Sequence, residues 1–61
     1  MREWLVYLRK QKNLKLKDVS AATGVSVTAL SSYETGDRRP RVDKAKKLAE
    51  FLGFEWTRFY E

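Results

Sequence analysis

The sequence predicts an all-α fold, a compact bundle of four to five short helices. Three observations predict it. Apolar residues recur every three to four positions, with no stretch of strict alternation. Three glycines and one proline (Gly24, Gly36, Gly53 and Pro40) cut the chain into segments of helical length. The 61 residues include no Cys and no His. Disulfides and Cys/His zinc sites are therefore excluded, and helix packing has to hold a domain this small together.

The first helix is expected over 2–12, with Leu5 and Leu8 on one face. The second, 16–23, places Leu16, Val19, Ser20 and Thr23 together. Gly24 then supplies the positive φ that a tight turn needs. Ser26 is a suitable N-cap for the third helix, 27–35, where Leu30 and Tyr33 share a face and Val27 lies near its edge. Gly36 ends that helix, and Pro40 keeps the following stretch extended. The fourth helix, 42–52, aligns Ala45, Leu48, Ala49 and Leu52 with Val42, and Asp43 favours its positive dipole end. Gly53 closes it. The aromatic tail suggests one more short helix over 55–60. Trp56 and Phe59, three apart, are expected to cover the bundle against Trp4. Everything fits one domain, 1–61.

Helices two and three, joined by a short turn at Gly24, form a helix-turn-helix arrangement over about 16–35. A generic αα corner would look the same. The outer face of the third helix separates the two. It carries Thr28, Ser31, Ser32 and Thr35, all small, hydroxylated and uncharged. An ordinary solvated face would carry Lys and Glu. Small polar side chains suit a helix that lies close against another surface, and the DNA major groove, about 12 Å wide, admits one helix.

The charge map agrees. The chain has 13 Lys and Arg against 8 Asp and Glu, a formal net charge of +5. From Val19 to Gly36 the only charged residue is Glu34. Before this neutral stretch come Arg9, Lys10, Lys12, Lys15 and Lys17, and after it Arg38, Arg39, Arg41, Lys44, Lys46 and Lys47. Phosphate anchoring around base contacts requires such a neutral surface between cationic flanks. Arg9 shares a face with Leu5 and Leu8, and Glu34 with Leu30. These opposite charges predict a buried ion pair that fixes the third helix, since either alone would be costly to bury.

Taken together, Leu8 and Arg9, Val19 to Ser26, Leu30 and Ser31, Glu34 with Gly36, Arg39 and Pro40, Leu48 and Ala49, and Leu52 and Gly53 resemble the repressor/Cro class of phage helix-turn-helix proteins, the XRE family. The resemblance covers nearly the whole chain. It implies a lambda-repressor-like bundle, double-stranded DNA as partner, a regulatory role such as repression, and Arg9–Glu34 as a structural pair. The base-reading positions it implies are Val27, Thr28, Ser31 and Ser32. The phosphate contacts it implies are Lys15, Lys17, Arg38, Arg39 and Arg41. It also suggests a weak two-fold dimer on a palindromic site, with Trp56, Arg58 and Tyr60 as candidate contacts.

The sequence departs from that pattern at Lys15 and Leu16, where the family has Ser or Thr followed by Gln. A side-chain cap is lost, worth about 1 kcal/mol. Leu16 is expected to brace Val27 through apolar contact. The third helix also lacks Arg, Gln and Asn, the residues of bidentate base contacts, so direct readout is expected to be modest.

Other classes fit less well. Scattered single acids without His or Cys give no acid–base or nucleophile constellation, so no enzyme and no cofactor is expected. Inward-facing Arg9 spoils the first helix as a membrane anchor, and no leader or span is visible, so a cytoplasmic location is expected. The alternative is a protein-interaction module, of antitoxin or anti-repressor type, that kept the fold. The neutral hydroxyl face is compatible with it, whereas the basic flanks favour DNA.

Overall fold

Each helix of the chain ends where its sequence stops supporting it. The computed structural model describes residues 1–61 and contains α1 (Glu3–Gln11), α2 (Leu16–Thr23), α3 (Val27–Thr35), α4 (Val42–Leu52) and a C-terminal 3₁₀ turn (Trp56–Tyr60). Gly24, Gly36 and Gly53 follow α2, α3 and α4 with φ of 76°, 90° and 81°. A side chain at such φ is strained, so glycine sets all three exits. After α1 the reversal uses Asn13 instead, at φ 57°. Asn tolerates the left-handed region better than most residues.

The predicted bounds of α2, α3 and α4 agree with the structure, and α1 is one residue shorter at each end. The tail winds as a 3₁₀ turn. Five residues are too few for a regular α-helix, whose termini leave the first four N–H and last four C=O groups unpaired.

Leu5 of α1, Val19 of α2, Ala29, Leu30 and Tyr33 of α3, and Ala45, Leu48 and Leu52 of α4 form one core with Val25 and Phe59. α2 packs against both α3 and α4, α1 against α3, and the 3₁₀ turn against α4. Val42 does not join this core. It is 46% exposed, because the buried stripe of α4 begins a turn later at Ala45. Leu16 lies half-buried against the core.

The aromatic end follows the expectation for Phe59 and departs from it for Trp56. Trp4 meets Phe54 and Phe59, with ring centroids 5.0 and 5.3 Å apart, and Phe59 also meets Tyr33 at 6.4 Å. Trp56 instead pairs edge-on with Tyr60, at 6.0 Å. A 3₁₀ turn keeps positions 56 and 59 on one side, and Trp56 also packs against the core, but Phe59 and Phe54 are the rings that reach Trp4. Phe59 is buried, and Trp56 is only half-buried.

Candidate nucleic-acid interface

The turn between α2 and α3 is fixed by its own polar groups. Gly24 N–H donates to the Ser20 carbonyl at 2.8 Å. The Thr23 hydroxyl donates to the Val19 carbonyl at 2.7 Å and accepts from Val25 N–H at 3.3 Å. Val25, 2% exposed, plugs the turn into the core. Ser26 then caps α3, its Oγ accepting from Ala29 N–H at 3.1 Å. The relative setting of α2 and α3 therefore follows from local sequence between Val19 and Ala29.

α3 buries Ala29, Leu30, Tyr33 and Glu34 and turns its other side outward. Thr28 and Ser31 are exposed, Val27 is 43% exposed, and Ser32 is half-buried. Thr35 is exposed too, but its hydroxyl is engaged locally, donating to the Ser32 carbonyl at 3.1 Å. The surface of α3 is thus apolar at its first residue and hydroxylated beyond it.

One buried ion pair holds this helix to α1. Arg9 Nε donates to Glu34 Oε2 at 2.7 Å and Nη2 to Oε1 at 3.1 Å, a bidentate pair. Arg9 Nη1 donates to the Leu14 carbonyl at 2.9 Å, so the same guanidinium also ties down the α1–α2 reversal. The hydrogen bond from Arg9 to Glu34 holds the guanidinium protonated above its ordinary range and outweighs the opposing effect of burial.

Cationic residues stand on both flanks. Lys15 and Lys17 are exposed at the start of α2. Lys15 has no acceptor on its side chain, yet the helix start is not bare: Asp18 Oδ2 accepts from Lys15 N–H at 2.8 Å, one half of a capping box. Arg38, Arg39 and Arg41 are exposed in the loop between α3 and α4, around buried Pro40. The Arg39 guanidinium lies over the Tyr60 ring, 5.3 Å from its centroid.

The three candidate dimer residues all have partners within the chain. Arg58 stacks over Trp4 at 4.5 Å, and Lys46 lies over Trp56 at 5.1 Å. Tyr60 hydroxyl donates to the Pro40 carbonyl at 2.6 Å. Arg2, which the sequence did not single out, makes some of the farthest-reaching bonds. Its N–H donates to the Glu34 carbonyl at 2.7 Å, and its Nη1 donates to the carbonyls of Tyr33 at 2.6 Å and Arg38 at 2.8 Å. It also lies 5.5 Å over the Phe59 ring. No spacing rule reveals it, because its partners are 31 and 36 positions away.

A capped α3 with an outward hydroxyl face, set on α2 through a glycine turn, matches a known pattern along most of its length: the family model for Helix-turn-helix covers residues 5–59. The chain belongs to the helix-turn-helix family. It is 38% identical over 61 residues to an HTH-type transcriptional regulator of Bacillus subtilis, YqaF, spanning all of this chain and 80% of that one. It is 37% identical over 51 residues to the HTH-type transcriptional regulator DdrOP3 of Deinococcus deserti, spanning 84% of this chain and 40% of that one. An HTH-type transcriptional regulator of Mycobacterium tuberculosis is 41% identical over 46 residues, which are 75% of this chain but 18% of the relative. The chain thus corresponds to most of one relative and to a minor part of the others. No solved structure matches it significantly.

Proposed function

We propose how this chain, a DNA-binding transcriptional regulator by its family and its relatives, engages its target: α3 lies in the major groove of double-stranded DNA and reads base edges with Val27, Thr28, Ser31 and Ser32. The observation that carries this is the outward face of α3, exposed, hydroxylated and free of charge, on a helix rigidly capped and pinned. Thr28 and the serines each offer one donor and two acceptor sites, and Val27 with the Thr28 methyl suits thymine methyl groups. Lys15, Lys17, Arg38, Arg39 and Arg41 contact phosphates and set register. With no bidentate reader on α3, specificity rests partly on DNA shape.

Two copies bind a palindromic site. Tyr60, 36% exposed, and half-buried Trp56 form a small surface pair that suits a weak two-fold contact, with exposed Arg58 a third candidate. A C₂ pair would set the two α3 helices on half-sites roughly 34 Å apart. No helix is long and apolar enough to cross a membrane, and a regulator of this kind works in the cytoplasm, where the DNA is.

Selection of bound duplexes from a random pool tests the reading. The expected result is an enriched site with two-fold symmetry, bound by two chains in sedimentation. Enrichment of nothing would oppose a DNA target and favour a protein partner. An asymmetric site bound one to one would oppose the dimer.

A further inference from the structure

The loop 36–41 carries three of the arginines assigned to phosphate, and its own turn contributes little to its order. Within the loop and α3, Arg38 N–H reaches the Ser32 carbonyl at 3.3 Å, and Asp37 N–H reaches Thr35 Oγ1 at 3.5 Å, both long bonds. At its junctions with the helices the loop is held by Gly36 N–H on the Ser32 carbonyl at 3.1 Å and by the Arg41 carbonyl accepting from Ala45 N–H at 2.9 Å; between those junctions the short bonds come from Arg2 and Tyr60. Arg2 Nη1 donates to the Arg38 carbonyl at 2.8 Å, and the Tyr60 hydroxyl donates to the Pro40 carbonyl at 2.6 Å. These two carbonyls bracket Arg39, whose guanidinium in turn rests over the Tyr60 ring.

The two clamps are themselves anchored. Arg2 is fixed by the carbonyls of Tyr33 and Glu34, at the negative end of the α3 dipole, and by the Phe59 ring. Tyr60 is one residue past buried Phe59. Residues near opposite ends of the chain therefore converge on one loop, Arg2 braced on the Phe59 ring and Tyr60 beside Trp56.

We propose that Arg2 and Tyr60 are positioning residues for DNA binding. They preorganise the Arg38–Arg39–Pro40 backbone so that Arg39 meets a phosphate without first ordering its loop. This rests on the DNA reading above. Loop ordering on binding subtracts from affinity, and a loop held beforehand in its bound form avoids that loss. Neither residue needs to touch DNA for this.

Tyr60→Phe removes one hydroxyl, and Arg2→Lys keeps the charge, so neither variant threatens the fold or the electrostatic field. Affinity for a selected duplex is measured for each, alone and combined with Arg39→Ala. Each single variant is expected to bind about five-fold more weakly, the equivalent of one net hydrogen bond of about 1 kcal/mol, with an unchanged salt slope. Neither is expected to weaken binding further once Arg39 is gone. Amide hydrogen exchange at Arg38 and Arg39 in the free variants is expected to rise. Equal losses in both backgrounds, or unchanged loop exchange, would overturn the positioning role. Failure of the unaltered protein to bind any duplex would overturn the DNA reading and this proposal with it, whatever the exchange result.

Discussion

Arg9 and Glu34 meet through two parallel hydrogen bonds, at 2.7 and 3.1 Å, with side chains only 13% and 11% exposed. Glu34 sits on α3 among Leu30 and Tyr33, so its carboxylate is the one charge in the buried face of that helix. The pair ties the orientation of α3 to α1 without any residue of the outward hydroxyl face taking part.

Glu34→Ala leaves the Arg9 guanidinium poorly solvated and without its counter-charge. Breaking a buried pair from one side costs about 3–5 kcal/mol. A 61-residue domain has a total stability of roughly 3–9 kcal/mol at typical per-residue values. Thermal melting is therefore expected to show a largely unfolded or barely stable variant. Glu34→Gln, which keeps an acceptor for one Arg9 donor, is expected to lose less. A Glu34→Ala variant that melts with the unaltered protein would show that the pair is energetically idle.

Readout separates from this scaffold. Thr28→Ala and Ser31→Ala remove exposed hydroxyls, so stability is expected to change by less than about 0.5 kcal/mol. The preferred duplex should change instead, at one base position each, by about 1 kcal/mol of discrimination or less for single rather than bidentate contacts. Ser32→Ala, at a half-buried position, should affect both properties. Selected sites identical to those of the unaltered protein would remove Thr28 and Ser31 from the reading surface.

The proposed phosphate contacts act on a different observable. Neutralising about five phosphates gives a log–log salt slope of roughly −4.5 per chain. Arg38→Ala combined with Arg39→Ala is expected to flatten that slope by about 1.8 and to weaken all duplexes alike. An unchanged slope would mean that these arginines do not reach the backbone.

Much of this arrangement is legible in the sequence, and for identifiable reasons. α2, α3 and α4 are delimited by Gly24, Gly36 and Gly53, whose backbone freedom is a local property. The Arg9–Glu34 pair is legible because each charge breaks an apolar stripe. Val42 shows the limit of periodicity: it lies in phase with the buried residues of α4, but the bundle has already ended at that height. Arg2 and Tyr60 mark a second limit. Their partners are backbone carbonyls of the loop, which every residue possesses, so no side-chain pattern announces them. The spacing of Trp56 and Phe59 predicts that both cover the bundle, and both pack on the core, but it does not decide which ring reaches Trp4: Phe59 and Phe54 do, and Trp56 pairs with Tyr60.

Lys15 is both the N-cap of α2 and a proposed phosphate contact. As the N-cap of α2 it has extended backbone, φ −91° and ψ 165°, the conformation that a serine cap adopts. Asp18 already supplies the returning half of a capping box, accepting from Lys15 N–H. The missing half is an oxygen to accept from the Asp18 N–H, which a lysine side chain lacks. Lys15→Ser provides it. Stability is expected to rise by about 1 kcal/mol, which for a domain of this size raises the melting temperature by roughly 4–8 °C. The same substitution removes a cation assigned to phosphate, so the salt slope should fall by about 0.9 and low-salt affinity should drop. A more stable protein that binds DNA less well would show that Lys15 is kept for contact at the expense of the helix cap. A variant that gains stability and keeps both affinity and slope would show that Lys15 stands away from the DNA.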